Sequence, residues 1–259
     1  MTERPIRVGV QIQPEHSDYS GIRDAVLRAE DAGVDVIFNW DHFYPLHGDP
    51  EGKHFEAWTM LGAWAEQTER VEIGALVTGI GYRNPDLLAD MARTVDHISG
   101  GRLILGLGAG WFAKDYDRFG YEFGTAGSRI ASLAEAMPRI KARLAAGNPA
   151  PTREIPILIG GGGVRKTLRI VAEHADIWHS FGDLPTLTSK SAILDEHGAA
   201  VGRDTAALVE RSVEAEGSPA VDGEALVAAG ATLFTLGVDG PDYDLTRVKE
   251  WVAWRDARG

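Results

Sequence analysis

Apolar residues in this chain fall into short runs separated by stretches in which they recur every three or four positions. The runs predict strands over 6–12, 34–38, 71–77, 102–107, 155–159, 176–179, 208–215 and 231–236. Most are apolar on both faces, the pattern of parallel strands covered by helices. The stretches between them predict helices with recognisable ends. Asp18 or Ser20 caps the first and Gly33 closes it. Asn84 followed by Pro85 reads as a cap and first-turn proline. Leu88, Met91, Val95 and Ile98 then form a stripe that Gly100 ends. Further helices are expected over 54–67, 128–146, 163–174, 185–200, 222–230 and 242–257, with Pro138 kinking or interrupting its segment.

Eight strands alternating with eight helices give an α/β protein, either a doubly wound sheet or a closed barrel. Eight units in 259 residues is the size of a (β/α)8 TIM barrel. No Pro/Gly/Ser-rich linker divides the chain, so a single domain over 1–259 is expected. The longest irregular connections, 39–53 and 108–127, follow the second and fourth strands. In a barrel both lie at the carboxyl rim, where active sites are built.

Composition narrows the chemistry. The net charge is −12 with no Lys/Arg cluster, which argues against nucleic acid. There is no cysteine, hence no disulfide and no thiolate chemistry. No stretch approaches the roughly 18 apolar residues of a membrane span, and the start MTERPIRVGVQI lacks a signal-peptide pattern. A cytoplasmic location is expected. The histidines are scattered without metal-ligand spacing, so no metal is expected, and no G-x-S-x-G elbow occurs.

Two features carry candidate chemistry. The second strand ends in Asn39, Trp40, Asp41 and His42, an amide, an indole, a carboxylate and an imidazole at the rim. The other is glycine. Residues 106–111, GLGAGW, are not a dinucleotide fingerprint, because Trp111 replaces the last glycine and FAKDYDRFGYEFG reads as loop. Gly160–Gly163 follow the fifth strand, and a helix is expected to begin near Gly163. Backbone N–H groups without side chains there form an anion cradle, and Arg165 and Lys166 fall in that first turn. The competing reading is a tight turn.

The segments DHF (41–43), YRNP (82–85), TVDHISGGRLILGLGAGW (94–111), PILIGGGG (156–163) and AEHADIW (172–178) occur in this order over nearly the whole chain. Together they resemble the luciferase-like monooxygenase superfamily, most closely the branch using the deazaflavin coenzyme F420 rather than FMN. The resemblance implies a TIM barrel with the ring across its mouth. It implies an F420-dependent oxidoreductase passing a hydride between the deazaflavin C5 and a small organic substrate. The alternatives are an FMN-dependent monooxygenase and a non-catalytic coenzyme-binding barrel. It places His42 and Asp41 beside the ring, His42 as proton partner and Asp41 orienting it or a ring edge. Asn39 would contact the ring edge or simply cap backbone. Ala75, Leu76 and Val77 would form a bulge with a non-proline cis peptide at Ala75–Leu76. Ala109 and Gly110 would flank the ring, Gly160, Gly161, Gly162 and Gly163 would hold the phosphate, and His179 with Ser180 would supply polar contacts. Trp40, Trp111 and Trp178, with Phe112 and Phe181, would wall a substrate pocket, and His16 and His47 are loop histidines near the mouth. Relatives that oxidise sugar phosphates carry glutamate at the position of Trp111 and tryptophan at that of Leu46, so sugar-phosphate oxidation is not expected. A homodimer is compatible with the resemblance.

Overall fold

A computed structural model describes residues 4–258. The strands are β1 (Arg7–Ile12), β2 (Val36–Asn39), β3 (Glu72–Ala75), β4 (Thr78–Gly79), β5 (Leu103–Gly108), β6 (Ile157–Gly160), β7 (Ile177–Ser180), β8 (Glu210–Glu214) and β9 (Ala231–Val238). All pair in parallel. β9 joins β1 across the full length of β1, from Arg7–Leu233 to Ile12–Val238, and β3 also pairs β5, so the sheet has no free edge. β3 and β4 are one strand position interrupted at Leu76 and Val77, which makes this the closed eight-strand barrel expected, and excludes the doubly wound sheet. The helices are α1 (Tyr19–Asp31), α2 (Ala57–Gln67), α3 (Pro85–Ser99), α4 (Ala113–Phe119), α5 (Ala126–Ala145), α6 (Thr167–His174), α7 (Leu184–Ala200), α8 (Thr205–Leu208), α9 (Glu224–Ala228) and α10 (Thr246–Asp256). Among the described residues no helix is long and apolar enough to cross a membrane.

Strand alternation divides the interior into two cores. Val8, Val10, Ile12, Ile37, Ile73, Leu105, Ile159, Trp178 and Phe234 face the helices. Val36, Phe38, Leu76, Ile104, Leu158, Ile177 and Leu233 fill the barrel. Below them, at the amino end of the strands, Arg7 donates to Glu210 and to Glu72 (2.5 Å), and Arg153 donates to Glu72 (2.6 Å). Opposite charges thus neutralise one another at the floor, and the carboxyl end is left for chemistry.

Several boundaries differ from the sequence expectation. The cis peptide is Leu76–Val77, one bond later than expected. Past the end of β3 the Leu76 N–H still donates to Asn39 O (2.8 Å), and the interior Gln11 amide donates to Leu76 O (2.7 Å), so both polar groups of Leu76 are held before the chain departs from the β2 ladder. α6 begins at Thr167, so Arg165 and Lys166 lie in the preceding turn and not in the helix. The FAKDYDRFG stretch contains α4, stopped by Gly120 in the left-handed region (φ 69°). α5 runs unbroken through Pro138. Leu133, Ala136, Met137 and Ile140 bury one face of that helix around the proline, and their burial outweighs the roughly 3 kcal/mol that an interior proline costs. Asn84 caps α3 as expected, accepting from Asp86 and Leu87 N–H.

Glycines on β5 and β6 admit the interrupted strand. A Cβ on Gly106 would lie 1.8 Å from the Ala75 carbonyl oxygen, and one on Gly108 would lie 2.5 Å from a Val77 methyl. Gly106→Ala therefore requires backbone displacement and should lower thermal stability by several degrees or prevent folding. Gly62→Ala, inside α2 with nothing within 4 Å of the added methyl, should be neutral or stabilise by about 0.5–1 kcal/mol. Parallel melting curves check both, and a Gly106→Ala protein with an unchanged melting temperature would contradict the packing described.

Candidate active site

β2 ends at Asn39 and delivers the next three residues to the rim. His42 is 8% exposed. Its Nδ1 faces Asp115 Oδ2 at 2.7 Å, while its Nε2 has no hydrogen-bond partner among the described residues. Asp115 is fully buried on α4. Its Oδ2 also accepts from Tyr82 OH (2.9 Å), and its Oδ1 accepts from Phe43 N–H (3.1 Å). Three donors on one carboxylate fix its orientation, and because a carboxylate can only accept, Nδ1 carries the hydrogen in that contact. Burial, then the Asp115 carboxylate, raises the Tyr82 phenol's pKa, so Tyr82 remains a donor.

Asp41 does not orient His42. Its two oxygens accept from Arg83 at 2.5 and 3.1 Å, and Arg83 also donates to Glu56 (2.5 Å). Burial pushes the Asp41 carboxyl above its usual range against the pull of Arg83. Burial would lower the Arg83 pKa, but Asp41 and Glu56 more than offset it and the net shift is upward. A short 3₁₀ turn, Ile80–Tyr82, brings Tyr82 and Arg83 to the rim from the end of β4. Asp115, Tyr82, Arg83 and Glu56 escaped sequence reasoning. The carboxylate at 115 falls in a segment whose pattern reads as loop, and in YRNP the cap signal belongs to Asn84 and Pro85 while Tyr82 and Arg83 enter only as part of the resemblance. Helical spacing over residues 113–119 was the available signal.

The remaining candidates divide by which side of the strand they occupy. Val77 reaches across to Gly108 and to Gly160, whose added Cβ would lie 3.0 Å from a Val77 methyl, so Val77 floors the mouth. Leu76 fills the barrel beneath it, whereas Ala75 faces the helix layer. Asn39 also turns outward: its amide donates to Ala57 O (3.0 Å) and its Oδ1 is buried without a partner, which matches backbone capping and not contact with a ring in the mouth. Trp178 is fully buried against the helices and donates from Nε1 to Gly161 O (2.8 Å). It is therefore no pocket wall; strand alternation sends residue 178 outward and residue 179 inward. His179 faces the barrel interior, bonded through Nδ1 to Ser212 (2.9 Å), with the Phe181 ring 4.5 Å away. Burial alone lowers its pKa to about 3. Ser180 faces outward, with its hydroxyl buried and unpartnered.

Trp40 and Trp111 flank the His42 ring, at 6.3 and 5.8 Å between centroids, and Phe112 lies at 5.5 Å. Trp111 is 63% exposed, an indole standing over the opening. Trp40 Nε1 donates to His54 Nε2 (3.1 Å), whose pKa burial lowers to about 4. Loop 39–53 is pinned by buried Glu15, which accepts from Leu46 N–H (2.7 Å) and pairs with His47 Nδ1 (3.0 Å). His16 Nε2 reaches His47 O (2.8 Å). Ala109 packs at the end of β5, and Gly110 (φ 79°) offers its carbonyl to Arg129 Nε (2.9 Å).

After β6 the chain turns through Gly160–Gly163. Gly161 has φ 125°, which a side chain rarely tolerates. The N–H groups of Gly162 and Gly163 donate to no described acceptor. Free backbone donors without side chains are the requirement for holding an oxyanion. No group of three or more His, Cys, Asp or Glu is placed to hold a metal among the described residues.

Comparison with known proteins adds three findings. The family profile described as luciferase-like monooxygenase matches residues 4–228. The F420-dependent glucose-6-phosphate dehydrogenase of Amycolatopsis mediterranei is 28% identical over 234 residues, covering 81% of this chain and 68% of that protein. Among solved structures, an F420-dependent secondary alcohol dehydrogenase in complex with an F420–acetone adduct superposes with a TM-score of 0.82 at 18% identity, covering 95% of this chain and 98% of that one. The F420-dependent tetrahydromethanopterin reductase from Methanopyrus kandleri gives 0.75 at 15%, covering 97% and 98%.

Two imidazoles near the mouth, His179 buried and His54 half-buried, tie stability to pH. His54 and His179 have folded pKa values of about 4 and about 3 against an ordinary 6.5. Both are held neutral, so below pH 6.5 the unfolded chain binds protons that the folded chain does not. Stability is then fully present above pH 6.5 and falls as pH drops toward those values, by about 1.4 kcal/mol per unit per histidine. The double variant His54→Gln/His179→Gln should show a flatter dependence of melting temperature between pH 6.5 and 4.5 than the wild type. Identical slopes would refute the assignment.

Proposed function

The chain belongs to the luciferase-like monooxygenase family, and from that premise we propose that it is a coenzyme F420-dependent oxidoreductase acting on a small organic substrate. The observation that carries this reading is the His42–Asp115 pair, an imidazole with one nitrogen fixed on a buried carboxylate and the other free beneath an aromatic rim. The likeness to F420-dependent relatives favours the deazaflavin over FMN. The residues present fit such a coenzyme: Val77 with Gly108 and Gly160 leaves a low floor for a flat ring, and Gly161–Gly163 is a cradle that side chains would fill. Val77 and the ends of β5 and β6 would meet the ring, with Gly162 and Gly163 N–H on its phosphate.

When bound, the deazaflavin supplies a carbon that gives or takes a hydride. The protein's part is the proton. His42 Nε2 takes a proton from, or gives one to, a polar atom of the substrate beside the ring. Asp115 holds Nδ1–H, keeps the ring in that tautomer and stabilises the imidazolium once Nε2 is protonated. Tyr82 and Phe43 N–H keep the Asp115 carboxylate in place as an acceptor. Asp41, held on both oxygens by Arg83, anchors the chain just before His42. Trp40, Trp111 and Phe112 exclude water and favour an apolar substrate body. Position 111 holds a tryptophan and offers no carboxylate to a sugar hydroxyl, which argues against a sugar phosphate as substrate.

Spectral titration of the purified protein with F420 and with FMN tests the coenzyme, and a panel of alcohols and carbonyl compounds tests turnover. A spectrum perturbed by FMN and not by F420 would overturn the assignment. For the proton role, His42→Ala should reduce kcat by about 10²–10⁴-fold while leaving F420 affinity near that of the wild type. Asp115→Asn should lower kcat and shift its pH profile, because the imidazolium loses its counter-charge. Full activity of His42→Ala on a substrate the wild type converts would remove His42 from the mechanism.

A further inference from the structure

We infer that Lys190 is the charged half of the phosphate site, an ammonium that α7 brings to the glycine loop to bind the phosphoryl group of the coenzyme. The assignment rests on the proposed coenzyme function. Leu187 and Leu194 are buried on α7, and Lys190 lies between them at three- and four-residue spacing, on the packed side of the helix. A lysine there normally finds a carboxylate or extends into water. Lys190 does neither: it is only partly exposed, and among the described residues its ammonium makes no hydrogen bond or ion pair. Instead Nζ rests against Gly162, 2.3 Å from where a Cβ on that residue would stand. A second contact fixes α7 to the loop, His197 Nε2 on Val164 O at 2.7 Å.

The two parts are complementary. Gly162 and Gly163 offer backbone N–H groups that point and discriminate by geometry but carry no net charge. Lys190 adds a full positive charge on a flexible stem, on a protein whose overall charge of −12 repels anions. Arg165 and Lys166, exposed in the turn before α6, add to the local field. Trp178 holds Gly161 O from behind and keeps the loop in register with the ammonium. The site therefore selects a phosphorylated deazaflavin over the same ring system without its phosphate.

Fluorescence titration of the full-length protein with F420 and with its unphosphorylated 5-deazariboflavin core tests this without any turnover. Lys190→Ala should weaken F420 binding about tenfold or more, the range for a charge-assisted hydrogen bond. It should leave affinity for the core unchanged and flatten the salt dependence of F420 binding. Lys190→Arg should retain most of the affinity. The melting temperature of Lys190→Ala should match the wild type, since the ammonium has no protein partner to lose. Equal F420 affinity of wild type and Lys190→Ala overturns the assignment alone, as does a parallel loss of both ligands. A wild type that binds neither F420 nor the core overturns the proposed function, and this assignment with it.

Discussion

The contact of one carbonyl group with one α-carbon governs the upper half of this barrel. The Ala75 oxygen points at Gly106 so closely that a β-carbon there would lie 1.8 Å away. Close-packed interiors have no slack to absorb such an overlap. Because residue 106 has no side chain, the interrupted strand can lean inward, and Val77 can lie over Gly108 and against Gly160. Elsewhere in the barrel the interior positions are filled by Val36, Phe38, Ile104 and Leu158. At the carboxyl end the glycines replace that filling with backbone. The result is a shallow apolar floor where a TIM barrel would otherwise be solid.

Polar groups around that floor are arranged by buried carboxylates. Asp115 gathers an imidazole, a phenol and a backbone N–H, Asp41 gathers Arg83, and Glu15 gathers His47 and the Leu46 N–H. Each carboxylate is nearly inaccessible and each is saturated by donors, as removing a charge from water requires. The rim loops carry little regular structure of their own, so these bonds do the positioning that a helix or strand would do elsewhere. A loop held in this way can present His42 with a defined tautomer, which general acid–base chemistry demands. The glycine loop after β6 is built on the opposite principle: among the described residues the Gly162 and Gly163 N–H groups have no acceptor, and the neighbouring Lys190 ammonium has no counter-ion.

The family resemblance, the barrel and the histidine at the tip of β2 were legible in the sequence. Their signals are local or periodic: strand runs with two apolar faces, Asn84–Pro85 opening a helix, four glycines after a strand. Such signals survive because they depend on neighbours along the chain. Partners across the fold were not legible. Asp115 lies 73 residues from His42 and Lys190 lies beyond β7 from Gly162, and only the packing of β/α units against one another makes them neighbours. Asp41 was adjacent to His42 in sequence yet belongs to Arg83, because consecutive residues at a strand end leave on different sides. The same alternation moved Trp178 and Asn39 out of the mouth and left His179 inside. Composition and spacing decided which elements exist and in what order. Which side chain meets which was decided by register, by a missing β-carbon at residue 106, and by the need of each buried charge for donors that the linear sequence does not place beside it.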